Sequence, residues 1–195
     1  MKPLNKDDLL GDTAYEQQRD EYRRRIIALK QVRRISVGPK VTLVFENRET
    51  VQFQTQEMIR TERIVDPAKI QEELDIYNAL LPAAGELSAT LFIEITDSAD
   101  MKRDLDAFQG IDRGQTLSLV AGSHTSYAVF EGGHSKEEKI SAVHFVRFPL
   151  SDELVADLRR SDVTARMRIE HPRYQAEVSV PATLREAWLG DLSEP

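Results

Sequence analysis

Cysteine is absent from this chain of 195 residues, and its absence excludes a large part of protein chemistry. Without a thiol the chain forms no disulfide, has no cysteine nucleophile and holds no cysteine-ligated iron–sulfur cluster. The sequence also lacks an apolar run of about 18 residues, the length that a transmembrane helix needs. Its first segment, MKPLNKDDLLGDTAY, carries acids where a signal peptide has an apolar core. We therefore expect a soluble, cytoplasmic protein.

Familiar nucleotide-binding and catalytic motifs are missing as well. The sequence contains no GxGxxG, no Walker-type phosphate loop and no GxSxG, so neither a nucleotide-binding loop nor a nucleophile elbow is predicted. Its four histidines form no HxxxH or HExxH pair; they are His124, His134, His144 and His171. We expect no metal site, no cofactor and no tightly bound iron. We keep His144 as a candidate binding residue, although a histidine on an apolar strand face is typically a core residue.

Composition and length favour one globular domain, residues 1–195, because 41% hydrophobic and 30% charged residues are ordinary for such a protein. The net charge of −7 is unevenly distributed. Residues 1–65 contain 13 Lys and Arg against 10 Asp and Glu, whereas residues 66–195 contain 13 against 23. A surface of this kind can steer the encounter with a charged partner, although charge also drifts along a chain without any function.

The apolar spacing predicts an α+β fold, with a mostly antiparallel sheet of about eight strands and five or six helices. Helices are predicted from Ala14 to Val32, over DPAKIQEELDIYNALLP with Asp66 as its N-cap, over SADMKRDLDAFQG with Ser98 as its cap, over SDELVADLRR with Ser151 as its cap, and from Pro181 to Gly190. Strands are predicted around Val41–Phe45, around Val51–Thr55, and over LSATLFIEIT, TLSLVAG, SYAVFE, KISAVHFVRFPL, VTARMRIEH and AEVSV. The sixth of these, KISAVHFVRFPL, is apolar on both faces and is predicted to be covered on both sides.

One stretch, FENRETVQFQTQEMIRTERI, concentrates charges of both signs around three glutamines. Val51, Phe53 and Thr55 alternate, which predicts the second strand of a hairpin, and the apolar period then becomes helical. Backbone N–H groups at such a strand-to-helix junction can bind an anion, and paired arginines can clamp a carboxylate or phosphate. The candidate binding residues are Gln54, Glu57, Arg60 and Arg63. We expect Glu57 or Glu62 to hold Arg60; the alternative is a set of ordinary surface ion pairs.

A basic run, YRRRIIALKQVRR at residues 22–34, contains six Lys and Arg and no acid. Its arginines Arg23, Arg24 and Arg25 are candidate binding residues for an acidic protein or for phosphates. No nucleic-acid motif or aromatic stacking platform accompanies the run, so a protein partner is favoured over nucleic acid. A solvated helix face is the alternative.

The segments IIALKQVRRISVGPKVTLVFENRETVQFQTQEMIRTERI and IQEELDIYNALLP, followed by SAVHFVRF and HPRY, resemble a bacterial family of conserved proteins of unknown function. The resemblance covers nearly the whole chain and is strongest from about Ile26 to Pro82. Members of that family are often encoded beside a rubrerythrin-like di-iron protein and an iron–sulfur oxidoreductase. The resemblance implies a role in peroxide or oxygen defence, or in an electron-transfer complex, and supplies no catalytic residues.

Two functions therefore follow as hypotheses. The first is a non-enzymatic accessory protein that docks a rubrerythrin-like or iron–sulfur oxidoreductase partner through its arginine-rich first third. The second is a small enzyme or a domain that binds a small ligand or an anion at the Arg60 junction, with His144. A closed pocket at Arg60 favours the second, and a flat charged surface favours the first. The sequence leaves open whether the chain is an enzyme and whether it forms a homo-oligomer.

Overall fold

A computed structural model describes residues 1–95, 101–132 and 140–193 of the protein. Within these ranges the chain forms six α-helices and nine strands, which confirms the predicted α+β class. The helices are α1 (Asp12–Val32), α2 (Arg48–Thr61), α3 (Pro67–Asn78), α4 (Met101–Asp106), α5 (Asp152–Arg159) and α6 (Ala182–Asp191), preceded by a short 3-10 helix at Lys6–Asp8. The strands are β1 (Arg34–Ser36), β2 (Val41–Phe45), β3 (Glu86–Ile93), β4 (Leu117–Ala121), β5 (His124–Tyr127), β6 (Val129–Phe130), β7 (Val143–Pro149), β8 (Ala165–His171) and β9 (Tyr174–Ser179).

The strands form two antiparallel sheets that share one hydrophobic core. The first sheet has the order β1-β2-β3-β7-β6, and the second has the order β5-β4-β8-β9. Leu43 and Leu91 are paired across β2 and β3, so they lie on the same face of the first sheet. They belong to one buried cluster with Leu119 and Met167 of the second sheet, and Trp188 of α6 closes this cluster.

The other face of the first sheet lies toward the N-terminal helices. Val44, Thr90 and Phe145 are register partners on this face. Val51 of α2 and Leu74 of α3 form a second apolar cluster, against which Phe145 packs. The first sheet is therefore covered on one face by the second sheet and on the other by helices, and the helix-facing side includes the polar Thr90.

Residues 48–61 are helical throughout, so the predicted strand and hairpin around Val51–Thr55 are wrong. Asn47 caps α2 by accepting a hydrogen bond from the Thr50 N–H, and the Thr50 hydroxyl oxygen in turn accepts one from the Asn47 N–H. Val51 and Thr55 are four residues apart, so they also form one helical stripe, which is buried in the structure. The spacing of Val51 and Thr55 fits both a strand and a helix, and the cap at Asn47 is the local signal that favours the helix.

Other local signals were interpreted correctly. Asp66 caps α3 with Pro67 at its first position, and Ser151 caps α5 by accepting from the Leu154 N–H. The predicted cap Ser98 lies outside the described residues. The β7 strand lies between β3 and β6 as an interior strand. One of its faces is buried in the core between the sheets and the other is half-buried, with Phe145 packed against the helix-side cluster, so both faces are at least partly covered, as predicted. No helix in the described ranges is long and apolar enough to cross a membrane.

Candidate functional site

Glu57 lies near the end of α2 and faces the first half of α1. Its carboxylate accepts two hydrogen bonds from the Arg19 guanidinium, both 2.8 Å, and one of 2.7 Å from the Tyr15 hydroxyl. The bidentate Arg19 contact, helped by Tyr15, lowers the pKa of Glu57 from 4.5 to about 2. Burial and the neighbouring carboxylate raise the pKa of Tyr15 above its usual value. Glu57 is thus committed to joining α1 to α2.

Replacing Glu57 with glutamine is expected to lower the free energy of unfolding by about 1–2 kcal/mol near neutral pH. The folded-state pKa lies below the unfolded one, so the contribution of ionised Glu57 is fully present above about pH 4.5 and disappears as the pH falls toward about 2. Urea denaturation of the unaltered chain and of Glu57→Gln should show that the difference between their free energies of unfolding decreases as the pH falls from about 7 to about 3. Glu62→Gln, on an exposed residue, is the control, and a Glu57→Gln deficit that stays constant with pH would contradict the assignment.

Arg60 is paired with Glu16 of α1, with Nε and Oε1 2.5 Å apart, and not with Glu57 or Glu62 as predicted. The pair is largely solvent-exposed. Since α2 begins at Arg48 and ends at Thr61, Arg60 lies in the last helical turn and not at a helix start. The N–H groups expected to bind an anion beside Arg60 are therefore committed to helical hydrogen bonds.

Arg63 follows α2 in a left-handed conformation, with φ of 52°. The Arg63 N–H bonds to the Arg60 carbonyl and the Ile64 N–H to the Ile59 carbonyl, which is the usual way that glycine ends a helix. No ion pair of Arg63 occurs among the described residues. Together with Arg60 it borders a recess of about 550 Å³ between α1 and α2, whose other lining residues are Asp12, Tyr15, Glu16 and Thr61.

The three candidate arginines of the basic run, Arg23, Arg24 and Arg25, have different surroundings. Arg25 forms an ion pair of 2.8 Å with Glu49 and lies over the Tyr22 ring. Arg24 donates to the Asp20 carbonyl, and Arg23 is exposed without an ion pair in the described part of the chain. These residues belong to the second half of α1, far along the helix from the Arg60 recess at its first half.

His144 lies on the opposite face of the first sheet from α1 and α2. Its register partner is Leu91, whose side chain belongs to the core between the sheets. His144 is 1% exposed and its Nε2 donates to the Ser141 carbonyl at 2.8 Å. The structure therefore does not bring His144 and Arg60 together. His134 lies outside the described residues, and in those that are described no three His, Asp or Glu side chains are grouped as metal ligands.

Glu46, at the end of β2, is the functional candidate that the sequence did not single out. It is 3% exposed. Its Oε2 accepts hydrogen bonds from the Thr50 hydroxyl at 2.5 Å and the Gln54 amide at 3.0 Å, and its Oε1 accepts one from the Thr90 hydroxyl at 2.7 Å. Gln54 is thus the one predicted site residue that contacts this carboxylate. The spacing of Glu46, Thr50 and Gln54 by four residues was the available signal.

Glu46 lies at the deep end of a cavity of about 290 Å³ between the first sheet, α1 and α2, which we call the Glu46 cleft. Val44 and Phe92 form apolar walls, and Lys30 borders the cavity from α1. The remaining lining residues are Gln31, Arg34, Gln54, Thr90 and Glu94. At the rim Arg34 is paired with Glu94 at 2.6 Å, and the Thr42 hydroxyl donates to the same carboxylate.

Arg33 holds the backbone at Phe45 and Glu46 in place through hydrogen bonds to their carbonyls. It is 2% exposed, donates to the carbonyls of Phe45 and Glu46, and forms an ion pair with Asp191 of α6. Arg33, although part of the basic run, is therefore not available to a partner. A buried guanidinium needs such partners because desolvating an unpaired charge is costly.

The comparisons with known proteins place the chain in a family. It belongs to the family described as "Protein of unknown function (DUF3501)", whose model matches residues 3–192. Its fold is similar to the crystal structure of a novel protein of unknown function from Burkholderia pseudomallei, with 32% sequence identity and a TM-score of 0.89. That match covers 98% of this chain and 100% of the other. No curated protein matches the chain.

Proposed function

We propose that this protein is a non-enzymatic, cytoplasmic accessory protein of a redox system. In this proposal it docks a rubrerythrin-like or iron–sulfur oxidoreductase partner through the second half of α1. The observation that carries the proposal is the surface of α1, on which only Tyr15 and Ile26 of 21 residues are buried. We call its outward side, formed by Arg23, Arg24, Ile27, Ala28 and Val32, the docking face.

The docking face combines two properties that protein interfaces share. Ile27 is 48% exposed and Val32 is 42% exposed, so two aliphatic side chains meet water on a helix that also carries exposed cations. Interface centres favour apolar residues and arginine, and flanking charge selects partners of the opposite sign. An acidic partner surface with an apolar centre complements this face.

The redox context of the proposal comes from the family resemblance. The rigidity of α1 supports the docking role as well. Arg19 ties α1 to α2 through Glu57, and Arg33 at its end is tied to α6, so the helix is held rigidly at both ends of the docking face. A rigid helix loses little conformational freedom on binding. One core joining both sheets is consistent with a single domain that acts as one body.

Reversing Arg23 and Arg24 to glutamate should weaken binding to a purified rubrerythrin-like partner by about tenfold or more, or roughly 1.4 kcal/mol. Stability should change by less than about 1 kcal/mol, because exposed charges contribute little to folding. Calorimetric titration and urea denaturation of the same variant separate the two effects.

The matched control for this double variant is Arg113→Glu with Arg159→Glu, which makes the same change in charge at two exposed positions elsewhere. If the control weakens binding as much as the docking-face variant, net charge and not this face drives association. If neither the rubrerythrin-like protein nor the oxidoreductase binds the unaltered chain, the proposed function is rejected.

A second candidate function is anion binding in the recess between α1 and α2. The observation that favours it is Arg63, which keeps a left-handed conformation that costs a non-glycine residue free energy and has no ion pair among the described residues. This candidate, unlike docking, predicts that the isolated protein binds inorganic phosphate and that Arg60→Lys weakens that binding.

A further inference from the structure

We propose that the Glu46 cleft binds a small zwitterion of the amino acid class. The ammonium group of the ligand would lie against Glu46, and its carboxylate would lie against Lys30. This inference goes beyond the docking function and does not depend on it, because the cleft lies between α1, α2 and the first sheet and not on the docking face.

The ammonium group is assigned from the unbalanced charge at the deep end of the cleft. Glu46 is buried, its three hydrogen-bond donors are all neutral, and no cation pairs with it among the described residues. A buried carboxylate in such surroundings is stabilised by a cation. An ionised carboxylate accepts about four hydrogen bonds, so Oε1, which accepts only from Thr90, retains one position for the ligand.

The carboxylate group is assigned from the cations around the opening. Of the two that line the cleft, Arg34 is already paired with Glu94. Lys30 is half-buried and has no ion pair in the described ranges of the chain. Lys30 is therefore the cation that remains to meet an anionic group, and a ligand with both charges satisfies Glu46 and Lys30 together.

The size and the walls of the cleft restrict the ligand to a short molecule. A volume of about 290 Å³ lies at the lower end of the range for small-molecule sites. Val44 and Phe92 offer apolar contact for a few methylene groups between the two charged ends. A single Lys30 provides a poor phosphate clamp, so the cleft favours a carboxylate over a nucleotide phosphate.

The cleft is also built from rigid parts, which a selective site requires. Arg33 holds the carbonyls of Phe45 and Glu46 from below, and Thr50 and Gln54 project from the first two turns of a capped helix. Thr90 lies within the paired strand β3. The three donors to Glu46 thus lie on regular, hydrogen-bonded elements.

The test uses the full chain labelled with nitrogen-15 and follows the side-chain amide of Gln54 by NMR. The probes are the common α-amino acids and a series of ω-amino acids from glycine to 6-aminohexanoate, each titrated to saturation or to its solubility limit. Butylamine and butyrate carry one charge each and are compared with 4-aminobutyrate. At least one zwitterion should shift the Gln54 amide saturably, and each single-charge analogue should bind at least about tenfold more weakly than the matching zwitterion.

Three variants decide whether the cleft is the site. Glu46→Gln and Lys30→Gln should each weaken zwitterion binding by about tenfold or more, whereas Lys69→Gln, an exposed lysine of α3, should not. Lys30 lies at the opening of the cleft and has no ion pair among the described residues, so Lys30→Gln is expected to fold. Its zwitterion affinity therefore still tests the proposal if Glu46→Gln fails to fold. The proposal is overturned if no zwitterion shifts the Gln54 amide, if butylamine binds as tightly as 4-aminobutyrate does, or if Lys30→Gln binds like the unaltered chain.

Discussion

Replacing Arg33 with methionine is expected to lower the free energy of unfolding by about 3–5 kcal/mol. Methionine keeps much of the side-chain volume but removes every donor of the guanidinium. Asp191 then loses its buried cation, and the carbonyls of Phe45 and Glu46 lose the hydrogen bonds that Arg33 donates. Removing one partner of a buried pair leaves the other charge uncompensated, which is why the cost exceeds the value of the pair itself.

Arg34→Met is the matched control, one residue along the chain. Arg34 and its partner Glu94 are each more than 40% exposed, so this variant should cost no more than about 1 kcal/mol. Urea denaturation at neutral pH measures both. Equal costs for the two variants would show that Arg33 does not act as a buried anchor.

Replacing Trp188 with alanine is expected to cost about 3–5 kcal/mol of unfolding free energy. Trp188 is fully buried, and its ring lies against Phe45 with centroids 4.6 Å apart. Truncation opens a large cavity between α6 and the end of β2, which the packed core cannot close fully. Trp188 and Asp191 are three residues apart on α6, so one helix face holds both the Phe45 ring and Arg33.

The control for this variant is Leu189→Ala, which truncates the neighbouring, half-buried residue. Its cost should be clearly smaller because part of the leucine side chain already meets water. Denaturation monitored by circular dichroism suits both variants, since Trp188 is the single tryptophan and its fluorescence is lost in the first. A Trp188→Ala cost no larger than that of Leu189→Ala would contradict the packing described at the end of β2.

Features that depend on neighbouring residues could be predicted from the sequence. The caps of α3 and α5 are examples, because a side chain that accepts from an N–H two or three residues ahead is visible in the spacing. The strand predicted around Val51–Thr55 failed for a related reason. Its residues satisfy both a strand period and a helix period, and the capping box at Asn47 and Thr50 is the local feature that favours the helix.

Features that depend on distant residues could not be predicted. Glu57 meets Tyr15 and Arg19, which are 42 and 38 positions away. The local spacing that made Glu57 a candidate binding residue therefore does not reveal these contacts. Arg33 meets Asp191 across 158 positions, and nothing in the basic run distinguishes it from Arg34. The partner that a charged side chain meets depends on the tertiary structure, and residue spacing in a single sequence does not show which distant side chains come together.

The Glu46 cleft combines both kinds of feature. Thr50 and Gln54 follow Glu46 at helical spacing, so their convergence is local once α2 is known to be a helix. Thr90 reaches Glu46 only because β3 pairs with β2 over the whole of that strand. The stretch FENRETVQFQTQEMIRTERI therefore contributes to two places, the ion-paired contact of Glu57 with α1 and the deep end of the Glu46 cleft.

Hydrogen–deuterium exchange of the complex with a purified rubrerythrin-like protein tests the central claim most directly. The docking proposal predicts that exchange slows in the second half of α1, at residues 22–32, when the partner is added. Exchange should stay unchanged in β8 and β9, which belong to the second sheet. Protection that is confined to β8 and β9, or that leaves residues 22–32 unaffected while the partner is bound, would contradict the account.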